Sequence, residues 1–316
     1  MNKFHVLCGY KAVKFFPTIL ILGLLSSCVD YTDSLSDSVD SSSPIITVKA
    51  STGSNTRMAY ASGDGKMVTW TPGDTFRWYN THSAGTLFTL TDGAGTTTGS
   101  FSGRFLDGMD KAIYPASCTN TDGQVGFQNL YLPFSGQSQS GNASTDGLSA
   151  YTYMMADAVL TTETSLTFKY LAAQLKFELT VPKDIVGDIT NLSLEITSGD
   201  CELISSLCPS DSNQNTYTNG QTVSLSNITL GDDHLLTAYM MLAPVQLEHQ
   251  SFTIVVSTNH STRNYYSITT SPVSLDFQPG HQYVVRYTLA EYQAPQFTAD
   301  IPQDSRDKGL ITCENT

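Results

Sequence analysis

Apolar residues recur at every second position along most of this chain, beginning just after Pro44. Ile46, Val48 and Ala50 alternate with polar residues, and the same period returns in residues 175–181, 192–196, 252–256 and 283–289. A period of two is typical of β-strands with one buried face, whereas an amphipathic helix repeats every three to four residues. The pattern therefore predicts many short, half-buried strands.

Clusters of Gly, Asn, Asp, Ser and Pro separate these strands, as in residues 91–95 and 211–215, and they predict turns and loops. Short strands at this spacing favour β-sandwiches or barrels. The polar run at residues 136–149 predicts a long loop, with a domain boundary soon after it. We therefore expect an all-β protein with an N-terminal β-sandwich at residues 44–162 and a C-terminal one at residues 163–291.

Both tryptophans lie in the stretch MVTWTPGDTFRWY, residues 67–79, on either side of a Thr-Pro-Gly-Asp turn. Trp70 shares a strand face with Val68, and Trp78 shares one with Phe76. An exposed sugar-stacking platform would usually have polar neighbours on the same face. We therefore predict that both indoles belong to a core. Pro72 and Gly73 suit the central positions of a type II turn, which Asp74 can cap.

The first 27 residues have the features of a signal peptide. Lysines precede an apolar run at residues 15–25, which is shorter than the roughly 20 residues of a spanning helix. The sequence LSSC at residues 25–28 resembles a bacterial lipobox, which implies cleavage before Cys28 and attachment of lipid, such as palmitate, to Cys28. The alternative is an ordinary signal peptide with a chance cysteine. Residues 28–43 are polar and aperiodic, which predicts a disordered tether.

Charge and composition narrow the function. The formal net charge is −13 and only 14% of residues are charged, which suits an exported β-rich surface. A protein that binds nucleic acid needs a positive field, so we expect no nucleic-acid partner.

Signatures of catalysis are missing from the sequence. The histidines are dispersed, and no spacing of zinc ligands, phosphate loop or nucleophile elbow is complete. We therefore predict a non-enzymatic protein with no metal and no cofactor. Two alternatives stay open: a pair of catalytic carboxylates, which needs no fixed spacing, and a weak cation site at Asp211, Asn213 and Asn215.

A series of short motifs resembles the ordered landmarks of the fimbrillin-like proteins that build type V pili. The motifs are TR at residues 56–57, WTPGD at 70–74, FSG at 101–103, IYPA at 113–116, LPFSGQ at 132–137, MMA at 154–156, LTFKYLAAQLKF at 166–177, AP at 243–244 and FQPGHQYV at 277–284. The resemblance implies two transthyretin-like β-sandwich domains and a structural or adhesive role in a cell-surface pilus. The tail after Leu289, with Cys313, departs from the pattern.

The resemblance also implies a mechanism of assembly. It places an Arg-specific cut between Arg57 and Met58, which would remove an N-terminal strand and leave a groove. Phe297, Ala299 and Ile301 in the tail of residues 292–316 match the period of the removed strand, so the expected partners are other pilus subunits joined by β-strand addition. The expected location is the fimbrium or, through lipid, the outer membrane. The alternative is an ordinary surface arginine and a frayed C-terminus.

Another class of function remains, a surface lipoprotein that binds glycans through its β-sandwich domains. Such a protein needs exposed aromatic side chains, and the clusters to test are Tyr151 with Tyr153 and Tyr265 with Tyr266.

The cysteines outside the signal peptide pose a separate question. In an oxidising compartment Cys201 and Cys208 form the shortest candidate disulfide loop. The alternative is that these cysteines, with Cys118 and Cys313, are small apolar side chains.

Overall fold

The computed structural model describes residues 43–52, 69–80, 84–118, 126–159, 161, 164–197, 202–261 and 264–291. These residues form two hydrophobic cores, one in each half of the chain. Three short 3₁₀ turns occur at Phe127–Asn129, Leu148–Tyr151 and Ser212–Gln214.

The described residues of the first half form nine strands. They are β1 (Ile45–Thr52), β2 (Thr75–Tyr79), β3 (Thr86–Asp92), β4 (Thr98–Arg104), β5 (Lys111–Tyr114), β6 (Leu132–Pro133), β7 (Gln137–Ser140), β8 (Met154–Asp157) and β9 (Ser165–Tyr170). Seven of them close into a barrel in the order β1-β4-β3-β2-β5-β8-β9, and β1 completes the ring by pairing in parallel with β9.

Twelve strands lie in the part of the second half that the structure describes. They are β10 (Ala173–Thr180), β11 (Ile189–Ile196), β12 (Leu203–Leu207), β13 (Thr216–Thr218), β14 (Gly220–Ser226), β15 (Leu235–Leu242), β16 (Val245–Gln250), β17 (Phe252–Thr258), β18 (Tyr265–Thr269), β19 (Val273–Phe277), β20 (Gln282–Thr288) and β21 (Ala290–Glu291). Two sheets, β15-β10-β20 and β21-β18-β17-β11-β14-β7, supply most of the second core. The smaller sheets are β13-β12-β6 and β16-β19.

The all-β prediction is confirmed, and so is the strand period. In β10 the alternate residues Leu175, Phe177 and Leu179 are at most 1% exposed, because every second side chain faces the core. Val48 and Ala50 in β1 are equally buried.

The predicted core position of both tryptophans is also confirmed. Trp70 and Trp78 have no exposed surface, and Trp70 makes edge contacts with Phe101 and Tyr114 at centroid distances of 4.9 and 5.4 Å. Gly73 has a φ of 89°, as the third residue of a type II turn requires. The Asp74 carboxylate accepts hydrogen bonds from the Thr71 backbone N–H at 2.7 Å and the Tyr114 hydroxyl at 3.0 Å, so it caps the turn.

Two boundaries differ from the sequence prediction. β9 was expected to open the second domain, but it pairs with β1 and β8 in the barrel, and Leu166 and Phe168 lie in the first core. The change of core falls between Ala172 and Ala173. The predicted loop at residues 136–149 contains β7, which pairs in parallel with β14 of the second half. Partners distant in the sequence decide both assignments.

Across the part of the chain that the structure describes, we find no helix whose length and apolar character would let it span a membrane.

Candidate functional site

The first candidate site is the position that β1 fills in the barrel, which we call the β1 seat. It lies between β4, which pairs with β1 in antiparallel register from Ile45↔Arg104 to Ser51↔Thr98, and β9, which pairs in parallel from Lys49↔Ser165 to Thr52↔Phe168. Because β1 has a partner on both edges, its removal would open the barrel along two strands at once.

The inner face of β1 is apolar from Ile46 to Ala50, and its outer face is polar from Thr47 to Ser51. Val48 and Ala50 are each 1% exposed, and Ile46 packs against the first core. On the outside, the Thr47 hydroxyl lies 2.7 Å from the Ser102 hydroxyl. The β1 seat therefore accepts a strand whose alternate residues are apolar.

A tryptophan side chain fixes the end of β1. The Trp70 indole N–H donates to the Ala50 carbonyl at 3.3 Å, and the Trp70 backbone N–H donates to Thr96 at 2.9 Å. The Thr52 N–H donates to Thr97 at 3.0 Å. Thr52 and Trp70, which lie on either side of the segment that contains Arg57, thus both bond to the same turn, residues 96–97. Arg57 and Met58 belong to this segment and lie outside the described residues.

The start of β1 is held as well. The Arg104 guanidinium donates to the Ser43 carbonyl at 3.1 Å, and the Phe105 N–H donates to the Pro44 carbonyl at 2.9 Å. Hydrogen bonds at both ends and along both edges therefore keep β1 in place while the chain is intact.

A second feature, which the sequence did not reveal, is a row of side-chain amides along the outer edge of β15. We call Gln137, Gln139 and Asn142 the amide row. Gln137 accepts from the Met241 N–H and donates to the Met241 carbonyl, both at 2.7 Å. Gln139 accepts from the Tyr239 N–H and donates to the Thr237 carbonyl, both at 3.0 Å.

Asn142 continues the amide row. Its side chain accepts from the Thr237 N–H at 2.7 Å and donates to the Leu235 carbonyl at 2.9 Å. The three amides thus pair with the edge of β15 in place of another strand, and they keep that edge from pairing with other chains. The only sequence signal was the alternation of Gln137 and Gln139, whose partners lie about a hundred residues away.

The two tyrosine pairs do not form a glycan platform. Tyr153 is 3% exposed and its hydroxyl donates to the Pro133 carbonyl at 2.6 Å, while Tyr266 has no exposed surface. Burial raises the pKa of the Tyr153 hydroxyl. Tyr265 is 48% exposed, but its neighbour in sequence faces the core, because successive residues of a strand point to opposite faces. Neither pair therefore presents two exposed rings, which the glycan-binding alternative would need.

The described cysteines are buried thiols. Burial raises the pKa of the Cys118 thiol to about 12, so it is protonated and unreactive at neutral pH. The Cys208 sulfur lies 3.2 Å from the Ser210 hydroxyl oxygen. Cys201 lies outside the described residues, and its bridge to Cys208 stays a prediction.

Several predicted positions lie outside the described residues: Cys28, Arg57, Met58, Phe297, Ala299 and Ile301. At the weak cation candidate, the Asp211 carboxylate accepts from the Asn213 N–H at 3.0 Å, and this bond lowers the pKa of Asp211. Within the described ranges, no group of three or more His, Cys, Asp or Glu side chains could hold a metal ion.

Comparison with solved structures gives the following. A candidate cell adhesion protein of Bacteroides ovatus shares 12% identity over 79% of this chain and 96% of its own, with a TM-score of 0.49. The solved structures that this chain resembles are adhesion and fimbrial proteins. A fimbrial assembly protein of Parabacteroides distasonis shares 8% identity over 87% of this chain and all of its own, with a TM-score of 0.37.

A minor pilin of Streptococcus agalactiae shares 9% identity over 81% of this chain and all of its own, with a TM-score of 0.28. No family model and no curated protein matches the chain. Because all three TM-scores are below 0.5, the all-β assignment rests on the strands described above.

Proposed function

We propose that this chain is a subunit of an adhesive filament on the cell surface. It is exported as a lipoprotein and assembles when a strand of another subunit replaces β1. The observation that carries the proposal is the position of β1: it closes the barrel, and it continues into the rest of the fold only through the segment that contains Arg57. A cut after Arg57 therefore leaves β1 held by non-covalent contacts alone.

Loss of β1 makes a site for an incoming strand. The facing edges of β4 and β9 would each present unpaired backbone groups, and unpaired groups away from water are costly. Val48 and Ala50 would leave an apolar groove beside Phe101, and Trp70 would lose the carbonyl that its indole N–H contacts. A new strand with alternating apolar residues restores all of these interactions.

The tail of a neighbouring subunit supplies that strand. Phe297, Ala299 and Ile301 alternate with Thr298 and Asp300, in the same period as the inner residues of β1. One subunit then gives its tail and receives the tail of the next. Such head-to-tail contacts build an open filament instead of a closed dimer.

The proposed lipid anchor and the proposed cut act on the same piece of chain. Cys28 precedes β1, so the lipid and β1 both lie on the N-terminal side of Arg57. Cleavage would release the subunit from the membrane in the step that opens the β1 seat. A subunit that stays uncut would keep its lipid and stay attached.

Protease treatment of the purified protein tests the proposal. We expect an Arg-specific protease to convert the intact chain into heat-labile ladders on gels, with new N-termini at Met58. Arg57→Ala should stay uncut at this site and monomeric, whereas Arg263→Ala, a matched arginine change between β17 and β18, should polymerise normally.

A chain that ends after Leu289 should be cut but should not form ladders, because it can no longer donate a strand. Ladders of full length from both Arg57→Ala and the shortened chain would overturn the proposal. Full-length ladders from Arg57→Ala alone would show that the cut is not required. Full-length ladders from the shortened chain alone would show that the tail is not the donor strand.

A further inference from the structure

The second half of the molecule has an apolar groove that opens to solvent. Its volume is about 600 Å³, and it lies between β20 on one side and β17 and β19 on the other. Its apolar walls include Leu175, Phe252, Ile254, Leu275, Phe277 and Val285. Most of these side chains belong to the second core, so the groove is a place where that core is uncovered.

The outer edge of β20 borders this groove. Among the described residues β20 pairs only with β10, in parallel register, so that Leu179 lies beside Tyr287. Leu179 has no exposed surface, yet Tyr287 on the same face is 36% exposed. If a further strand covered this part of the sheet, Leu179 and Tyr287 would both be buried. This face of β20 therefore has room for one more strand beside it.

The two edges of the sheet β15-β10-β20 contrast with each other. The amide row closes the β15 edge with hydrogen bonds at 2.7 to 3.0 Å. Nothing equivalent contacts the β20 edge within the described residues. An open edge beside an apolar groove is the arrangement that an added strand fits.

We propose that the tail of the same molecule covers this edge, with residues 297–301 running back antiparallel to β20. The described chain ends on the neighbouring sheet, where Glu291 pairs with Tyr266. Residues 292–296 can span about 16 Å, more than the roughly 10 Å that separates packed sheets. The linker is therefore long enough to cross from one packed sheet to the other.

The tail also fits in register and in charge. With Phe297 opposite Tyr287, Ala299 lies opposite Val285, so the apolar tail residues face the groove. Thr298 and Asp300 then face outward. On that outer face, Glu178 contacts both Lys176 at 2.7 Å and Arg286 at 2.6 Å, which leaves one positive charge in excess for Asp300.

This inference concerns the uncut monomer and does not depend on the proposed filament. The tail segment is the one proposed above as the donor strand. Docking in cis would cover its apolar face until a neighbouring β1 seat opens, so the same residues would be either stored or donated.

Disulfide trapping in dilute monomer tests the docking. In a chain with Cys28, Cys201 and Cys313 changed to Ser, Val284→Cys and Asp300→Cys would lie opposite each other on the outer face. We expect an intramolecular disulfide to form on the order of tenfold or more faster than in the control pair Val284→Cys and Asn315→Cys, which samples a loose tether. Equal rates for the two pairs, or disulfides only between molecules, would overturn the docking.

Hydrogen exchange gives an independent measurement without cysteines. In a chain that ends after Glu291, the peptide that covers β20 should exchange faster than in the full chain, while the peptide of β14 stays unchanged. Identical exchange of β20 in both chains would also overturn the docking. The filament proposal would survive that outcome, because its test uses cut protein.

Discussion

The indole N–H of Trp70 donates a hydrogen bond to the carbonyl of Ala50, over a distance of 3.3 Å and away from solvent. This bond joins the strand proposed for removal to Trp70, which lies on the other side of Arg57 in the chain. It therefore couples the core of the barrel to the presence of a strand in the β1 seat.

Replacing Trp70 tests this coupling. Trp70→Phe removes the donor and part of the packing, which should cost about 1–3 kcal/mol of unfolding free energy. Hydrogen exchange in the peptide of β1 should become faster. Trp78→Phe is the matched control, because Trp78 is equally buried and donates to Ala158 at 3.2 Å, yet lies away from β1. Equal acceleration of β1 by both changes would contradict the coupling.

The amide row should contribute strongly to stability. Gln137→Leu introduces an apolar side chain of similar size and removes both hydrogen bonds to Met241. We expect a loss of about 2–4 kcal/mol in urea unfolding, since buried polar groups lose their partner. Gln246→Leu on an exposed position of β16 is the control, and it should change stability by less than about 0.5 kcal/mol. An equally small effect of both changes would show that the amide row is dispensable.

The sequence predicted the residues that follow a local rule. Alternation identified the inner faces of β1 and β10, and the apolar neighbours of Trp70 and Trp78 placed both indoles in the core. The burial of Tyr153 and Tyr266 could not be predicted, because a cluster of tyrosines in sequence does not show which member faces inward. The residues of β7, QSQS, contain no apolar side chain, so the local pattern predicts a loop there.

The long-range pairings explain the remaining differences. Gln137 and Gln139 are buried at 3% and 4% exposure only because the edge of β15 supplies partners for their amides. β9 pairs with β8 and also with β1, which lies more than a hundred residues earlier and closes the barrel. Neither partner can be inferred from the local pattern of residues.

The thiol of Cys118 should resist alkylation in the folded protein. Its pKa is raised by burial to about 12, from about 8.5 in an unfolded chain. At pH 8, iodoacetamide should modify Cys118 only after unfolding, as mass spectrometry would show.

The same pKa predicts a dependence of stability on pH. Between about pH 9 and pH 12 the unfolded state has lost the proton of Cys118 while the folded state keeps it, so unfolding free energy should fall as pH rises. Cys118→Ala should weaken this fall. Rapid alkylation of Cys118 in the native protein at pH 8 would contradict the buried position of this thiol.

The donor strand should fail when a charge enters its apolar face. Ala299→Arg places a cation where the β1 seat requires an apolar side chain, so cut protein should form few or no ladders. Thr298→Arg carries the same charge on the outward face and should assemble. If both variants assemble equally, the tail does not enter the β1 seat with this face.

The most direct test of the account is a cross-link between subunits at the β1 seat. Isotopically heavy subunits with Ser100→Cys or Ser102→Cys on β4 would be mixed with light subunits that carry Thr298→Cys, and the mixture would be treated with the Arg-specific protease. We predict heavy–light disulfides to one of the two β4 positions, formed only after cleavage at Arg57 and absent when Arg57→Ala is present in the heavy chain. Filaments that form without these disulfides, or disulfides that appear without the cut, would contradict the account.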